Sequence, residues 1–385
     1  MRPYLFLFGR TPKLAFLELT SCIPSASLLS EGVGLAQDSS ITEDLASRLG
    51  GTVKVAEVIG KIEELSGAGL AKYIDTGDTG KKMVFGVSVY GIDGCDMHTL
   101  LVDIKQDIEK SGHTVRYVAP HEGSVLSSVV VAKQHVQELI AVRSENGYII
   151  GKTLAVQEFE EWSKRDYSRP YADPKSGMLP PKVARMLVHA AVGFHGEGMT
   201  ILDPFCGMGT ILGEASLERC RVIGGDQDTH VISKARKNLE WLATVYQNID
   251  ISHSVFYAGD ATGVSKHIRE ASVDAIITEP FMGTTKLGGG SITDAVKIRN
   301  IMKGLEKLYI GCLREWHKVL KPSGKVMIAF PEYHLNGKIF AVKKVIDMCE
   351  KLGYTNLVGP IEYGRPQAIV KREFYLFEKS SKINN

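Results

Sequence analysis

Cysteine is sparse in this chain of 385 residues: Cys22, Cys95, Cys206, Cys220, Cys312 and Cys349 stand singly. No CxxC pair occurs and no histidine cluster flanks them. That argues against a disulfide scaffold and a zinc site, and makes a reducing cytoplasm the expected compartment. Long apolar runs are lacking too, since none approaches the roughly 20 residues that span a bilayer. The opening MRPYLFLFGRTPKLAFLEL is apolar only from Tyr4 to Phe8, then meets Gly9, Arg10 and Pro12. It has no small-residue cleavage site and reads as a first strand rather than a signal peptide. Internal repeats and extended low-complexity segments are missing. An excess of one charge is missing as well, the net value being +2. It is unevenly spread, however. Residues 1–160 carry 15 Lys and Arg against 20 Asp and Glu, or −5, and the remainder carries 31 against 24, or +7. A basic second half suits a polyanionic partner, and a solvated surface equally well.

What is present divides in two. After a mixed first 50 residues, TVKVAEVI and KMVFGVSVYG alternate as strands do. LLVDIKQDIEKSG has helical spacing with a Ser-Gly stop. HTVRYVAP, SSVVVAKQ and NGYIIGKTLAVQ read as further strands. The expectation is a small α+β domain closing near Val156. The polar, proline-bearing and aromatic segment 157–181 is the expected linker. From 182 onward the rhythm becomes strand, turn, helix: MTILDPF, RVIGGD, SVFYAGD, VDAIITEP and KVMIAF with helices between them. That alternation predicts an α/β domain over 182–385, a parallel sheet covered on both faces. The tail strand AIVKREFYLFEK, with no helix before it, is expected to run antiparallel at the sheet edge.

The strongest signal is LDPFCGMGTILGEA. Gly207, Gly209 and Gly213 give GxGxxxG, not the GxGxxG of dinucleotide sites. Glycine at 207 and 209 lets backbone N–H groups approach a ligand, and Thr210 can cap the following helix or hold a carboxylate at its positive end. Asp226 ends the next strand, 19 residues after Gly207, where an acid takes ribose hydroxyls. Asp260 ends the third, where an acid accepts from an adenine amino group. Each aspartate alone can equally be a helix N-cap. Asp203, Asp226 and Asp260 at three successive strand ends are harder to assign to caps alone.

This combination resembles a class I S-adenosylmethionine methyltransferase with a Rossmann-like fold. A nicotinamide enzyme is the alternative, and the glycine spacing fits it less well. The resemblance implies cofactor contacts from Asp203, Pro204, Phe205, Gly207, Gly209, Thr210, Asp226, Gln227, Asp260 and Ala261, and no metal. The fourth strand delivers Glu279-Pro280-Phe281. Amino-methylating enzymes of this class carry Asp/Asn-Pro-Pro-Tyr/Phe at this step. An exocyclic amine attacks poorly because its lone pair is delocalised into the ring. A carboxylate and a proline carbonyl accepting its N–H bonds localise that pair, and an aromatic ring stacks the base.

PPKVARMLVHAA, ILDPFCGMGTIL, GGDQD and TEPFMG occur in this order in THUMP-containing RNA methylases, and the chain most resembles the tRNA guanosine-10 N2-methyltransferases. The resemblance implies a THUMP-like RNA-binding domain at about 50–156, within an N-terminal region spanning 1–156. It also implies methyl transfer to guanine N2 in tRNA, with Glu279, Pro280 and Phe281 as the catalytic step. Glu in place of Asp, and one proline fewer, depart from that pattern. A DNA adenine-N6 methyltransferase and a non-catalytic RNA-binding relative are the other readings. The loop GTTKLGGGSITD is a candidate lid with Lys286 near phosphate, or a plain surface loop. In WSKRDYSRPY, alternating basic and aromatic residues point to RNA or to the methionine end of the cofactor, or to a solvated linker.

Overall fold

A computed structural model describes residues 2–38, 41–76, 83–173, 178–247, 249–284 and 292–380. The chain forms two compact units, Met1–Glu161 and Trp162–Asn385.

The first unit runs β1 (Pro3–Phe8), α1 (Pro12–Cys22), β2 (Ser27–Ser30), β3 (Val33–Gln37), α2 (Glu43–Arg48), β4 (Thr52–Ile62), α3 (Gly67–Ala71), β5 (Met83–Tyr90), α4 (Met97–Lys110), β6 (Val115–Val118), α5 (Ser128–Lys133), β7 (Gln137–Ser144) and β8 (Gly147–Val156). Its eight strands lie in the order β2-β3-β1-β4-β8-β7-β5-β6. Alternation placed β4, β5, β6 and β8 correctly. SSVVVAKQ is instead a helix, α5. Ser127 caps it, its side chain accepting the Val130 N–H at 3.2 Å. A local cap with a single inward valine, Val131, outweighs the strand preference of three valines in a row. Two buried acids organise the unit. Glu18 on α1 accepts the Gly50 and Gly51 N–H groups, each at 2.8 Å. Glu138 on β7 pairs with buried Lys54 and accepts from Ser88 and Thr153.

α6 (Phe159–Tyr167) leads into the second unit, followed by α7 (Pro181–Val192), β9 (Thr200–Asp203), α8 (Thr210–Leu217), β10 (Arg221–Asp226), α9 (Thr229–Val245), β11 (Val255–Ala258), β12 (Val273–Thr278), α10 (Ile292–Val319), β13 (Leu320–Leu335), β14 (Lys338–Phe340), α11 (Lys343–Met348), β15 (Tyr354–Tyr363) and β16 (Val370–Lys379). The sheet order is β11-β10-β9-β12-β13-β16-β15, and β11 through β13 are parallel. The tail strand β16 is antiparallel to β13 as expected, but β15 pairs with its other side and takes the edge seat. α10 lays Tyr309, Leu313 and Trp316 against β13, β15 and β16, making a core with Phe330, Tyr354 and Phe377.

The segment from Trp162 is folded, with its tryptophan and arginines turned inward. Trp162 is buried, with Arg165, Lys182 and Arg185 over its ring. Arg165 and Arg185 both reach Glu214, and Arg185 also pairs with Glu218. These ions sit away from water, so each depends on its partner. Arg185→Leu leaves two buried carboxylates short of a cation. It is expected to lower stability by about 3–5 kcal/mol, as breaking a buried pair does, which chemical denaturation measures.

Candidate active site

The four parallel strands β9, β10, β11 and β12 end side by side, and each brings an acid to its carboxyl end: Asp203, Asp226, Asp260 and Glu279. Open parallel sheets bind ligands at this carboxyl edge.

The turn after β9 is built for approach by a ligand. Gly207 has φ +50° and Gly209 φ +82°, the left-handed region that favours glycine. A Cβ on Gly207 would enter open space, with nothing within 4 Å. The Gly209 N–H donates to Cys206 O at 2.7 Å, and the Cys206 N–H to Gly225 O at 2.9 Å, so the loop is tied to β10. Asp226 takes the Gly207 N–H at 3.3 Å and the Asp228 N–H at 3.0 Å. Asp260 caps the short 3-10 turn Ala261–Lys266, accepting from Thr262 N at 2.8 Å. The capping role raised for these aspartates is thus real for Asp260, and Asp228 rather than Asp226 caps α9. Both acids remain at the open edge, Asp226 part-exposed and Asp260 exposed. Gln227 is exposed beside them, and Pro204 and Ala261 are buried. Phe205 packs edge-on against Trp316 with ring centroids 6.4 Å apart.

Thr210 does not cap α8: the N-cap is Gly209, with no side-chain bond. The Thr210 hydroxyl accepts from Arg169 at 2.8 Å, and Arg169 also holds Asp166 at 3.1 Å. Two of the three basic residues of WSKRDYSRPY, Arg165 and Arg169, are therefore engaged inside this unit, and Lys164 is exposed. Cys206 is a buried filler, and burial pushes its thiol well above the usual range.

Asp203 differs from its neighbours in being 2 % exposed. Its Oδ1 accepts from the Thr278 hydroxyl at 2.6 Å and from Phe205 N at 3.1 Å. Burial still dominates, and with Asp226 and Glu279 nearby it pushes the carboxyl up to about 7. The Thr278 bond links β9 to β12, so the acid under the glycine loop and Glu279 are one residue and one hydrogen bond apart.

Glu279 is largely buried at the end of β12. Burial raises its carboxyl, and Arg372 on β16 opposes that with its charge and an Nε–H bond of 2.5 Å to Oε1. Pro280 is buried, and Phe281 is 61 % exposed. Two buried tyrosines fix the backbone that follows. Tyr309 of α10 donates to Phe281 O at 2.6 Å, and Tyr333 of β13 donates to Met282 O at 2.9 Å and Thr284 O at 3.1 Å. The ring of Phe281 is thereby presented outward from a clamped chain. Beside it lies a cavity of about 330 Å³ against α10. Residues 285–291, on which the expected lid and Lys286 fall, lie outside the described residues.

Sequence reasoning missed Thr278, Arg372, Tyr309 and Tyr333. Thr278 reads as one more strand residue, and the tyrosines read as core. Arg372 is 93 residues from Glu279, and no spacing rule joins them. Elsewhere in the unit, donor atoms of Glu332, His334 and Glu362 lie within 4.8 Å of one another. Glu332 is bonded to His334, and Glu362 is paired with Lys371.

Asp203 generates a stability prediction. An ordinary aspartate titrates near 3.9 in the unfolded chain, so between there and about 7 the folded state binds the extra proton. Stability is present below that window and lost as pH rises through it. Asp203→Asn cannot ionise. The ligand-free variant is expected to be more stable than wild type at pH 8, by a few kcal/mol at about 1.4 per pKa unit. The advantage should vanish toward pH 4, and thermal unfolding across pH 4–8 measures it.

Comparison with known proteins bears on the fold and family of the second unit. Residues 168–357 match the family described as UPF0020, RMKL-like, methyltransferase domain. The tRNA (guanine(10)-N2)-dimethyltransferase of Methanothermobacter thermautotrophicus is 30% identical over 220 residues, 56% of this chain and 58% of that protein. Its Pyrococcus abyssi counterpart is 28% identical over 224 residues, 58% and 55%. The chain thus matches little more than half the length of these relatives. Among solved structures, TrmN from Thermus thermophilus aligns over 98% of this chain and 99% of its own, with TM-score 0.55 at 18% identity. At that identity the likeness is one of fold. The second unit of this chain, with its acid-lined glycine loop, has a class I methyltransferase fold, and residues 168–357 are similar to the RMKL-like methyltransferase domain.

Proposed function

We propose that this protein transfers a methyl group from S-adenosylmethionine to an exocyclic amine of an RNA base, guanine N2 in tRNA. The observation that carries the reading is the Thr278–Asp203 hydrogen bond of 2.6 Å. It joins the acid beneath the glycine loop to the strand whose next residue is Glu279.

The residues suit this cofactor. Gly207 leaves open space at the loop, Asp226 and Asp260 offer acceptors at the edge, and buried Asp203 gains from a cation beside it. A dinucleotide would bring anionic pyrophosphate against the same acids. S-adenosylmethionine, held by Asp203, Gly207, Gly209, Asp226 and Asp260, with Pro204, Phe205, Thr210, Gln227 and Ala261 around them, supplies an electrophilic methyl group.

Glu279 and the Pro280 carbonyl accept the two amine N–H bonds and localise the lone pair. The exposed ring of Phe281 stacks the base, an interaction worth roughly 1–3 kcal/mol. Most of the rate comes from holding amine and methyl in line. Glu279 also takes the proton that the methylated amine sheds, and a carboxyl raised by burial is suited to that task. The side chain is one methylene longer than the Asp of similar enzymes, and Arg372 fixes where the extra length goes. The first unit serves as a THUMP-like RNA-docking region. Among the described residues no helix is long and apolar enough to cross a membrane.

Glu279→Ala is expected to lower the methylation rate on tRNA by at least about 100-fold, the scale for misplacing a reacting group. Wild-type turnover in that variant would sink the assignment, and duplex DNA as the preferred substrate would redirect it. Arg372→Met removes the cation that holds the Glu279 carboxyl down. The acid limb of its pH–rate profile should move to higher pH, read from initial rates between about pH 5 and 9. Asp203→Asn should weaken S-adenosylmethionine binding in calorimetry, even though the ligand-free fold is stabilised.

A further inference from the structure

Among the exposed cations of α10, Arg299, Lys303 and Lys307 stand in one row at i, i+4 and i+8. Like charges at this spacing repel and weaken a helix. Among the described residues none of the three has an ion-pair partner. The nearby acid Glu306 is engaged by the Lys344 N–H at 3.2 Å. Between this stripe and the buried face lie Asn300 and Gly304, which line the cavity beside Phe281 together with Ile301 and Leu308. Gly304 is the second anomaly. It sits inside a helix of 28 residues, where glycine costs about 1 kcal/mol against alanine. Among the described residues a Cβ there would meet nothing within 4 Å, so their packing does not require its absence. A repulsive cation row and an unneeded glycine on one helix, at the wall of the cavity by the catalytic step, share one explanation. A polyanion approaches this face closely.

We infer that α10 is a phosphate-backbone docking surface for the RNA strand that carries the target nucleotide. Arg299, Lys303 and Lys307 contact phosphates, and Gly304 keeps the space through which the nucleotide reaches Phe281. This rests on the RNA methyltransferase reading above and adds the surface that reading leaves unspecified. Each phosphate contact releases a counterion, so salt dependence reports the number of contacts directly.

The experiment uses the full chain and a tRNA it methylates. The triple variant R299Q/K303Q/K307Q should bind tRNA more weakly, with a log K against log salt slope shallower by about 1 per cation removed. Its affinity for S-adenosylmethionine should be unchanged. R299K/K303R/K307R should keep the wild-type slope. Removing three exposed cations at the opposite, amino-terminal edge of the sheet, Arg221, Arg269 and Lys351, controls for net charge and should leave the slope as it was. Gly304→Ala separates docking from structure: its melting temperature should rise while KM for tRNA rises several-fold. Wild-type slope and affinity in the glutamine triple, with wild-type enzyme active, overturn this inference alone. A wild-type chain that binds and methylates no RNA overturns the parent reading with it.

Discussion

Asp203 is an acid held where the fold gives it almost no water, at the end of the strand that opens the methyltransferase sheet. A buried carboxylate with two donors and, among the described residues, no ion-pair partner is costly, and the cost is visible in a carboxyl pushed up to about 7. The surrounding geometry follows from that one strain. Thr278 must come from the neighbouring strand to donate to it, which fixes the register of β12 against β9 at the edge. The glycine loop next to it is open at Gly207, which fits the proposed approach of a cationic cofactor. The site is thus destabilised without a ligand and complementary to a positively charged one, a common relation between stability and function.

The second acid is handled differently. Glu279 sits at the same edge and is also raised by burial, but Arg372 reaches it from the antiparallel strand β16. That strand is outside the parallel αβ rhythm, and its insertion between β13 and β15 is what brings a guanidinium to Glu279. The tyrosine clamp completes the arrangement. Tyr309 and Tyr333 take the carbonyls of Phe281, Met282 and Thr284, groups a chain leaving a sheet must satisfy somewhere. Anchoring the backbone through its carbonyls leaves the Phe281 ring exposed, the position the proposed stacking requires. An aromatic residue exposed on a rigid chain loses little entropy when it binds, which suits a base platform.

Much of this domain was legible beforehand because its signals are local. Alternation and helical spacing gave β9 to β13, α9 and α10, and the glycine turn with its successive acids gave the edge where a ligand sits. Where local signals compete, reading failed. Three valines in SSVVVAKQ look like a strand until the Ser127 cap turns them into α5. Thr210 looks like a cap until Gly209 takes that position. In WSKRDYSRPY no spacing rule shows that Trp162 is buried or that Arg165 and Arg169 reach Glu214, Asp166 and Thr210.

By itself the sequence determined which residue types stand at the carboxyl edge of the sheet: an acid at each strand end, two glycines free to adopt positive φ, and an acid–proline–aromatic step. Those follow from side-chain type and spacing within a dozen residues. Only the tertiary structure decided what those groups are. It set which aspartate is dehydrated, which guanidinium faces Glu279 from 93 residues away, and which ring stays in solvent. Proton affinity and hydrogen bonding depend on what surrounds an atom in space, and strand order, not chain order, chooses those neighbours.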